Sequence, residues 1–194
     1  MTHTSASAHT SEMATSAIDR STSGCDPVSS KDNCCRDFRS TLGRFATGVT
    51  VVTALSADGE PIGVTISSFN SVSLEPPLIL WSLSLSSPNL EIFRDASHYA
   101  VNVLSVEQQA ISDRFASRSN KSFAGIPQHT GLGGAPLIEG CCACFECANE
   151  AHYPGGDHLI FVGRVERFAE GQTESPLIFH NGRYCQLDAG KAAD

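Results

Sequence analysis

Gly63–Pro77 reads GVTISSFNSVSLEPP, a strand-like run that is rich in small hydroxyl side chains and ends at two prolines. A second apolar run, Leu78–Trp81, follows and leads into further serines and an asparagine. A plain core strand needs no such density of polar groups, whereas a flat polar heterocycle with a phosphate tail can bind to them and to exposed backbone N–H groups. We therefore expect a ligand site along these two strands, with a serine-rich edge strand as the alternative interpretation.

The composition suits one globular domain. The chain has 194 residues, of which 41% are hydrophobic, so it is long enough to bury a sizeable core. Its formal net charge is −8, and no segment combines clustered Lys and Arg with aromatic residues. Nucleic acid and anionic membranes are therefore not expected as partners. No apolar run approaches the roughly 20 residues that a membrane-spanning helix requires.

Residues 1–35 differ in character from the rest of the chain. They are rich in Ser and Thr and almost without large apolar side chains, so burial cannot offset their ordering entropy. We expect a disordered arm there, a folded domain over residues 36–188 and a short tail over residues 189–194. The arm lacks the apolar segment of a secretory signal, and its acidic residues argue against a transit peptide. A cytoplasmic location is the resulting expectation.

Four of the eight cysteines stand together as CCACFEC, Cys141–Cys147. The spacing of Cys144 and Cys147 resembles half a zinc site, but the sequence offers no second pair downstream. On a strand Cys142 and Cys144 would face one way, with Cys141 and Cys147 on the other face and ~20 Å apart. Four ligands could not converge on one metal ion. Buried free thiols are therefore expected, with neither a metal site nor a disulfide framework.

Periodicity and turn residues indicate a mainly β chain with a few short helices. The loop GLGGAP at residues 131–136 precedes a proline and a strand, so it lacks the helix of a dinucleotide fingerprint. Many strands linked mostly by turns indicate an antiparallel barrel. Helices are expected over Arg36–Phe45, from Ser87, and from Ser105 to about Phe115. Strands are expected over Val49–Leu55, Pro61–Ser68, Leu78–Leu83, Tyr99–Leu104, Cys141–Asn149, Asp157–Val165 and Pro176–Leu187.

Six motifs stand in a specific order along the folded part. They are FRSTLGRFATGVTVVT at 38–53, SSFNSVSLEPPL at 67–78, YAVNVL at 99–104, RFA at 114–116, GDH at 156–158 and FHNGRY at 179–184. In this combination the chain resembles the short-chain flavin reductase family, the reductase components of two-component flavin-dependent monooxygenases. The resemblance implies an FMN-binding split barrel, which is a mainly β antiparallel barrel with short flanking helices.

The resemblance also implies where a flavin would bind. The strand that carries Thr65, Ile66, Ser67 and Ser68 is expected to run under the isoalloxazine ring, with Ser73 in the same cradle. The phosphate end is expected near the following turn, at Ser84, Ser86, Ser87 and Asn89, where hydroxyls meet a helix N-terminus. Many relatives place an Arg or Lys in this turn, whereas residues 83–89 have none. This difference implies a loosely held, exchangeable flavin.

Further site residues follow from the later motifs. His158 of GDH is expected beside the flavin face on which nicotinamide stacks, as the catalytic residue, and Asp157 could fix its tautomer. Tyr184 is expected near the nicotinamide pocket. The RFA motif, Arg114, Phe115 and Ala116, is expected beside the cofactor, with Phe115 as a core anchor the alternative interpretation.

The implied activity is that of an NAD(P)H:flavin oxidoreductase. It would reduce FMN or FAD by hydride transfer from NADH or NADPH and supply the reduced flavin to a partner monooxygenase. A homodimer is expected by resemblance. The alternatives are a barrel that keeps FMN tightly as an oxidase or electron carrier, a non-enzymatic flavin-binding module, and a thiol or zinc protein that uses Cys141–Cys147.

Overall fold

A computed structural model describes residues 31–117, 121–173 and 175–187, with side chains from residue 35 onward. The expected arm lies mostly outside these residues, and the expected tail lies wholly outside them. Contacts among the described residues divide the chain into two units, with the boundary between residues 39 and 40. Within the described ranges, no helix is both long and apolar enough to cross a membrane.

Three helices and twelve strands make up the described part of the chain. The helices are α1 (Lys31–Leu42), α2 (Leu90–Asp95) and α3 (Gln109–Ala116), with short 3-10 turns at Val106–Gln108 and Leu132–Gly134. The strands are β1 (Thr47–Gly48), β2 (Thr50–Leu55), β3 (Pro61–Ile66), β4 (Asn70–Leu74), β5 (Pro77–Ser84), β6 (His98–Val103), β7 (Gln128–Thr130), β8 (Pro136–Ile138), β9 (Ala143–Gly155), β10 (His158–Glu170), β11 (Ile178–His180) and β12 (Arg183–Cys185).

Seven antiparallel strands form the main sheet, in the order β3-β2-β6-β9-β10-β5-β4. A second sheet joins β1, β11 and β12, and β7 pairs with β8. The mainly β antiparallel class expected from the sequence is confirmed. Because β3 and β4 are the two ends of the strand order, they are the edges at which a barrel made from this sheet would be split.

A serine side chain joins β3 to β5 across this split. The Ser82 N–H donates to Ser68 Oγ at 2.9 Å, and Ser68 Oγ–H donates to the Ser82 carbonyl at 3.2 Å. Ser68 lies two residues beyond the end of β3, and Ser82 lies on β5. The side chain thus makes both hydrogen bonds that a neighbouring backbone would make in a continuous sheet. The sheet curls until these strands meet here and leaves an opening beside them.

Two hydrophobic clusters fill the interior. Trp81 stacks on Phe161 at 4.2 Å between ring centroids and meets Tyr99 and Phe93 edge-on. The second cluster surrounds Phe115 and includes Leu104 and Leu177. Strand β2 serves both clusters, since Val52 and Ala54 pack in the first while Val51 packs in the second. Alternating residues of a strand point to opposite faces, so both faces of β2 are buried.

Two expected helices have different bounds in the structure. The first helix begins at Lys31 instead of Arg36 and ends at Leu42 instead of Phe45. Its first turn contains no Gly or Pro, so nothing breaks the helix upstream of the apolar periodicity, and Gly43 follows its end. The helix expected from Ser87 begins at Leu90, because Ser87 closes a turn in which its Oγ accepts the Asn89 N–H at 3.3 Å.

Three expected strands also have different bounds. The strand expected over Asp157–Val165 runs from His158 to Glu170. The strand expected over Cys141–Asn149 begins at Ala143 and continues to Gly155, because it pairs with β10 along its whole length. The single strand expected over Pro176–Leu187 is the hairpin β11–β12, which turns at Asn181-Gly182 with φ of 50° and 74°. Asn-Gly with two positive φ angles is the signature of a two-residue hairpin. The sequence therefore held this signal.

The clustered cysteines lie in different parts of the interior. Cys141 packs in the cluster around Phe115, and Cys147 packs in the cluster around Trp81. Burial raises the pKa of the thiols of Cys141, Cys144 and Cys147 to about 12. Within the described residues the cysteines are free thiols, and no group of three metal-ligating side chains converges.

Candidate active site at the split of the barrel

A polar cleft lies at the split of the barrel, between the ends of β3 and β5. We call it the main cleft; its volume is about 320 Å³, and His158 at the start of β10 lies on one side of it. Strand β5 brings Ser84 directly opposite His158 in the ladder with β10. The residues that line the main cleft are Val64, Thr65, Ile66, Ser67, Ser68, Ser82, Leu83, Ser84 and His158.

A smaller cavity adjoins the main cleft on the other side of β3. We call it the side cavity; its volume is about 160 Å³, and it shares Thr65, Ile66 and Ser67 with the main cleft. The remaining lining comes from Val49, from helix α3 and from the C-terminal hairpin. Its residues are Val49, Thr65, Ile66, Ser67, Ser112, Ala116, Phe179 and Tyr184. The end of β3 is thus a floor common to two adjoining spaces.

Two hydroxyl side chains at the end of β3 form hydrogen bonds within the protein, and a third faces the cavities. Thr65 Oγ1–H donates to the Ser112 carbonyl at 2.7 Å, and Ser68 is bonded to Ser82 as described above. These two side chains hold the walls together. Ser67 lies between them, is exposed and lines both cavities.

A two-residue turn places His158 at the mouth of the main cleft. Gly155 pairs with His158, and between them Gly156 adopts φ +74°, a conformation that glycine tolerates without steric cost. His158 Nδ1–H donates to Asp157 Oδ1 at 2.7 Å, because an ionised carboxylate can only accept. This hydrogen bond holds the pKa of Asp157 below its ordinary value. In the neutral imidazole it leaves Nε2 as an acceptor.

Tyr184 is held by two hydrogen bonds beside the side cavity. Its O–H donates to Asp113 Oδ1 at 2.9 Å, and its oxygen lies 2.9 Å from Ser112 Oγ. The ring packs edge-on against Phe179 with 5.5 Å between centroids. Burial, followed by the effect of Asp113, raises the pKa of the Tyr184 phenol, and the Ser112 hydrogen bond opposes that shift in part.

The structure brings together about half of the residues expected from the sequence. Six of them line the main cleft, and two more line the side cavity. The six are Thr65, Ile66, Ser67, Ser68, Ser84 and His158, and the two are Ala116 and Tyr184. Asp157 lines neither space but touches His158.

The remaining expected residues lie outside both spaces. Ser73 lies on β4, where it pairs with Leu78. Ser86, Ser87 and Asn89 form the turn after β5, in which Ser86 Oγ lies 2.9 Å from Ser84 Oγ. Helix α2 has six residues, so it presents only a short dipole to this turn.

The RFA motif divides between the cavity and the core. Arg114 Nη1 donates to the carbonyls of Ser122 and Ala124, at 3.3 and 2.9 Å, and so stabilises the loop after α3. Phe115 is fully buried, with its ring 4.6 Å from that of Phe123. Its side chain is the core anchor that the alternative interpretation describes. Ala116 alone reaches the side cavity.

Sequence reasoning missed six lining residues. Ser82 could have been found, because it alternates with Ser84 on β5 and therefore shares its face. Phe179 could have been found from the Asn-Gly hairpin, which pairs it with Tyr184. The other four, Val49, Val64, Leu83 and Ser112, carry no signal in the sequence, since the packing of β2, β3, β5 and α3 decides which face they present.

No Lys or Arg stands among the described residues that line the two spaces. Arg164, the arginine nearest to His158 along β10, is engaged elsewhere: its Nε lies 3.1 Å from Glu150 and its Nη2 lies 3.3 Å from Glu166. An anionic ligand would therefore be bound by hydroxyls and backbone N–H groups and not by a direct ion pair with the lining.

The residues present fit a flavin. Two adjoining spaces along one strand suit an elongated ring system, hydroxyls suit its polar edge, and a ring-bearing wall of Phe179 and Tyr184 suits its apolar edge. The fold and the cleft together define a split-barrel protein with a site for a planar, polar ligand, and a histidine at the mouth of that site.

Comparisons with known proteins agree with this description. Residues 42–188 match the family model of the flavin reductase like domain. FMN reductase (NADH) SmoA of Agrobacterium fabrum is 46% identical over 149 residues, which are 77% of this chain and 84% of the relative. HsaB of Rhodococcus jostii, the reductase subunit of a flavin-dependent monooxygenase, is 39% identical over 80% of each chain.

A solved structure gives the same result in three dimensions. The NADH:FAD oxidoreductase SgcE6 of Streptomyces globisporus, in complex with NAD and FAD fragments, superposes with a TM-score of 0.76 at 35% identity, over 81% of this chain and 94% of that one. The protein belongs to the flavin reductase family, and its split barrel is the flavin reductase fold.

Proposed function

We propose that this protein oxidises NADH, reduces FMN or FAD, and releases the reduced flavin to a partner flavin-dependent monooxygenase. The observation that carries the proposal is the pair of adjoining spaces on the end of β3, which have a histidine at one side and an aromatic wall at the other. When bound, flavin accepts hydride from the nicotinamide and so supplies the redox chemistry.

The protein's own contribution is binding and orientation. Two rings must lie face to face at near-attack distance for hydride to pass, and no nucleophile is required. His158 stands at the mouth of the main cleft, where its Nε2 can form a hydrogen bond to the nicotinamide carboxamide or to the flavin edge. Asp157 keeps the Nδ1 proton in place and so fixes which nitrogen faces the ligand.

Release of the reduced flavin is favoured by the way in which the site would bind the flavin phosphate. Charge-assisted hydrogen bonds to Arg or Lys are about twice as strong as neutral ones. The lining of the described cavities supplies only neutral donors and the ring of His158. A moderate affinity, suited to exchange with a partner enzyme, is the expected result.

NADH is the preferred nucleotide in this proposal. The 2′-phosphate of NADPH needs a cation within reach, and Arg164, the arginine nearest to His158 along β10, is paired with Glu150 and Glu166. We expect kcat/KM to be higher for NADH than for NADPH. Equal values would contradict this assignment.

A homodimer and a cytoplasmic location complete the proposal. Several large apolar side chains are exposed on the described surface of residues 40–187, including Phe45 (77%), Leu74 (94%) and Phe168 (76%), and a second copy would cover such surface. Light scattering after size-exclusion chromatography tests the dimer. The reduced thiols of the described interior suit a reducing compartment.

The deciding experiment follows the nicotinamide absorbance of NADH with the purified protein in air, with and without added FMN or FAD. Oxidation of NADH that scales with added flavin is expected, and the preferred flavin identifies the cofactor. No oxidation of NADH or NADPH with either flavin would overturn the proposal. Retention of FMN on prolonged dialysis would instead favour a flavoprotein that holds its cofactor tightly.

A further inference from the structure

The side cavity is closed by a hairpin that a few polar contacts hold to helix α3. The hairpin β11–β12 contributes Phe179 and Tyr184 to the cavity wall, and Asn181 N–H donates to the Gly43 carbonyl at 2.8 Å near its turn. On the cavity side, the contacts to α3 come from Tyr184. The β1–β11 ladder holds Phe179 opposite Thr47, whereas the hydrogen bonds of the Tyr184 oxygen set how closely the other strand of the hairpin approaches α3.

The direction of each hydrogen bond in this contact can be assigned. Asp113 as a carboxylate can only accept, so the single proton of the Tyr184 phenol is donated to Asp113 Oδ1. The Tyr184 oxygen is then free to accept, and Ser112 Oγ–H donates to it across 2.9 Å. The chain of donors runs from Ser112 through Tyr184 to Asp113, and its end at a carboxylate makes the last bond charge-assisted.

The same turn of α3 also holds the floor of the cavity. Thr65 Oγ1–H donates to the Ser112 carbonyl at 2.7 Å, which fixes β3 to the helix. Floor and wall are thus fixed to two adjacent residues, Ser112 and Asp113. The space that they keep open is about 160 Å³, and a cavity of ~150 Å³ is enough to hold a benzene ring.

We propose that Asp113 is a positioning residue for flavin: by accepting the Tyr184 proton it keeps the Phe179–Tyr184 wall at the spacing that one ring of the isoalloxazine requires. Asp113 is exposed and lines neither cavity, so it acts through Tyr184 and not by contact with the ligand. The inference rests on the proposed function, since it takes flavin as the ligand of the site.

The first test measures flavin affinity without turnover. Quenching of flavin fluorescence gives the Kd for the wild type, Asp113→Ala, Asp113→Asn and Tyr184→Phe. Loss of one charge-assisted hydrogen bond is expected to weaken binding about tenfold in Asp113→Ala. Asp113→Asn keeps an acceptor oxygen and should lose less. Asp58→Asn, which changes an exposed aspartate in the β2–β3 turn, is the matched control and should bind as the wild type does.

A double variant tests whether Asp113 acts through Tyr184. If it does, Asp113→Ala combined with Tyr184→Phe should weaken binding no more than the Tyr184 change alone, because both remove the same contact. Additive losses, or a wild-type Kd in Asp113→Ala, would overturn the proposal.

The second test needs no flavin. The Asp113 carboxylate contributes to the raised pKa of Tyr184, so Asp113→Asn should let this phenol ionise at a lower pH. The ultraviolet absorbance of phenolate measures the change. Subtracting the titration of the Tyr184→Phe variant isolates the signal of Tyr184 from those of the other two of the three tyrosines. An unchanged titration would show that the contact does not form.

Failure of this inference is distinct from failure of the proposed function. A wild type that reduces flavin, with variants that bind flavin equally well, would reject Asp113 alone. A wild type that consumes no NADH with either flavin would reject the reductase, and the phenol titration would still report on the contact.

Discussion

His158 combines an exposed position with a fixed ring orientation. About 42% of its side chain is exposed, yet the Asp157 hydrogen bond and the tight turn at Gly156 restrict how it can move. An exposed histidine without such a partner would sample several rotamers and lose that entropy on binding. The pair therefore presents one ring nitrogen to the cleft before any ligand arrives.

Replacement of His158 by Ala should lower kcat for flavin reduction by roughly one to two orders of magnitude, as expected when a positioned hydrogen-bonding side chain is lost. The Kd for flavin should change little, because the floor of the site is β3. Stopped-flow reduction and fluorescence quenching measure the two quantities. His129→Ala changes an exposed histidine outside the main cleft and is the control; wild-type turnover in His158→Ala would remove His158 from the site.

His152 illustrates a histidine with a structural role. Its Nε2–H donates to Asn149 Oδ1 at 2.8 Å, while the Asn149 amide donates to the carbonyls of Phe93 and Ala96 at 2.9 Å. Asn149 thus caps the end of α2. Burial, and then the charge of Arg94, lowers the pKa of His152 from its ordinary value.

The His152 ring should therefore titrate below the ordinary histidine pKa of 6.5. As the pH falls, the unfolded chain protonates this ring at a higher pH than the folded protein does. The contribution of His152 to the free energy of unfolding is therefore lost as the pH drops from about 6.5 toward the folded pKa, and it is retained above that range. A pH titration of the histidine ring proton resonances by NMR measures this, with His152→Gln to assign the signal. A midpoint at or above 6.5 would contradict the effect of burial.

At the scale of elements, the long hairpin β9–β10 determines where the main cleft lies. It pairs with β6 on one side and β5 on the other, and its turn carries His158 to the split of the barrel. The ladder contains an irregularity at Val162/Gly163, where the backbone passes over the Tyr99 hydroxyl. A glycine is required there by close approach, because a Cβ would overlap that hydroxyl.

Gly163→Ala should destabilise the fold by about 1–3 kcal/mol, the cost of overpacking a well-packed core. Urea unfolding measures it. Gly48→Ala on β1 is the matched control, because its Cβ would meet no atom within 4 Å, and the change should stay within about 0.5 kcal/mol.

Removal of the hydroxyl tests the reason for that cost. Among the residues that the structure describes, the buried Tyr99 oxygen has no hydrogen-bond partner, so Tyr99→Phe should be nearly neutral or stabilising. Combined with Gly163→Ala, it should recover part of the lost free energy of unfolding. Additive effects of the two changes would mean that the Cβ meets something other than the hydroxyl.

At the scale of the whole molecule, the two hydrophobic clusters account for the cysteine-rich segment. Cys141 and Cys147 occupy separate clusters and behave as small apolar side chains. A thiol with a pKa of about 12 is almost wholly protonated at neutral pH and therefore reacts slowly.

In the folded protein at neutral pH, Cys141, Cys144 and Cys147 should react with a maleimide at least roughly a hundredfold more slowly than after unfolding, because the thiolate fraction falls tenfold for each unit of pKa. Mass spectrometry of the labelled peptides gives the rates, and the exposed Cys35 is the internal control. Elemental analysis should find no stoichiometric zinc. Rapid labelling, or one zinc per chain, would revive a thiol or metal role.

Much of the fold could be predicted because its signals are local. Three such signals depend only on neighbouring residues, and the structure has all three. They are the alternation of buried and less buried residues in β5, the β-branched residues in β2, and the reciprocal capping of Ser105 and Gln108. Errors fell at element ends, where local signals weaken. The start of α1 has no apolar periodicity, and the start of α2 depends on how the Ser87 turn closes.

The site was predicted less completely, for a physical reason. The residues on β3 could be identified because one segment concentrates hydroxyl groups, whereas Ser112 reaches the side cavity only because α3 packs against that strand. Arg114 has a side chain that can bind an anion, but it donates hydrogen bonds to two carbonyls of the neighbouring loop instead. The residue type alone does not show which of several possible partners a side chain binds.

The sequence by itself determined the class of fold, the family and the strand on which the ligand site is built, since each depends on the order and spacing of residues along the chain. The tertiary structure alone decided which hydroxyls remain available at the cleft, which arginines are already paired, and that Asp113 lies within hydrogen-bond distance of Tyr184. Those outcomes depend on distances between segments as many as 72 residues apart. Only the packing of the sheet and helices sets such distances.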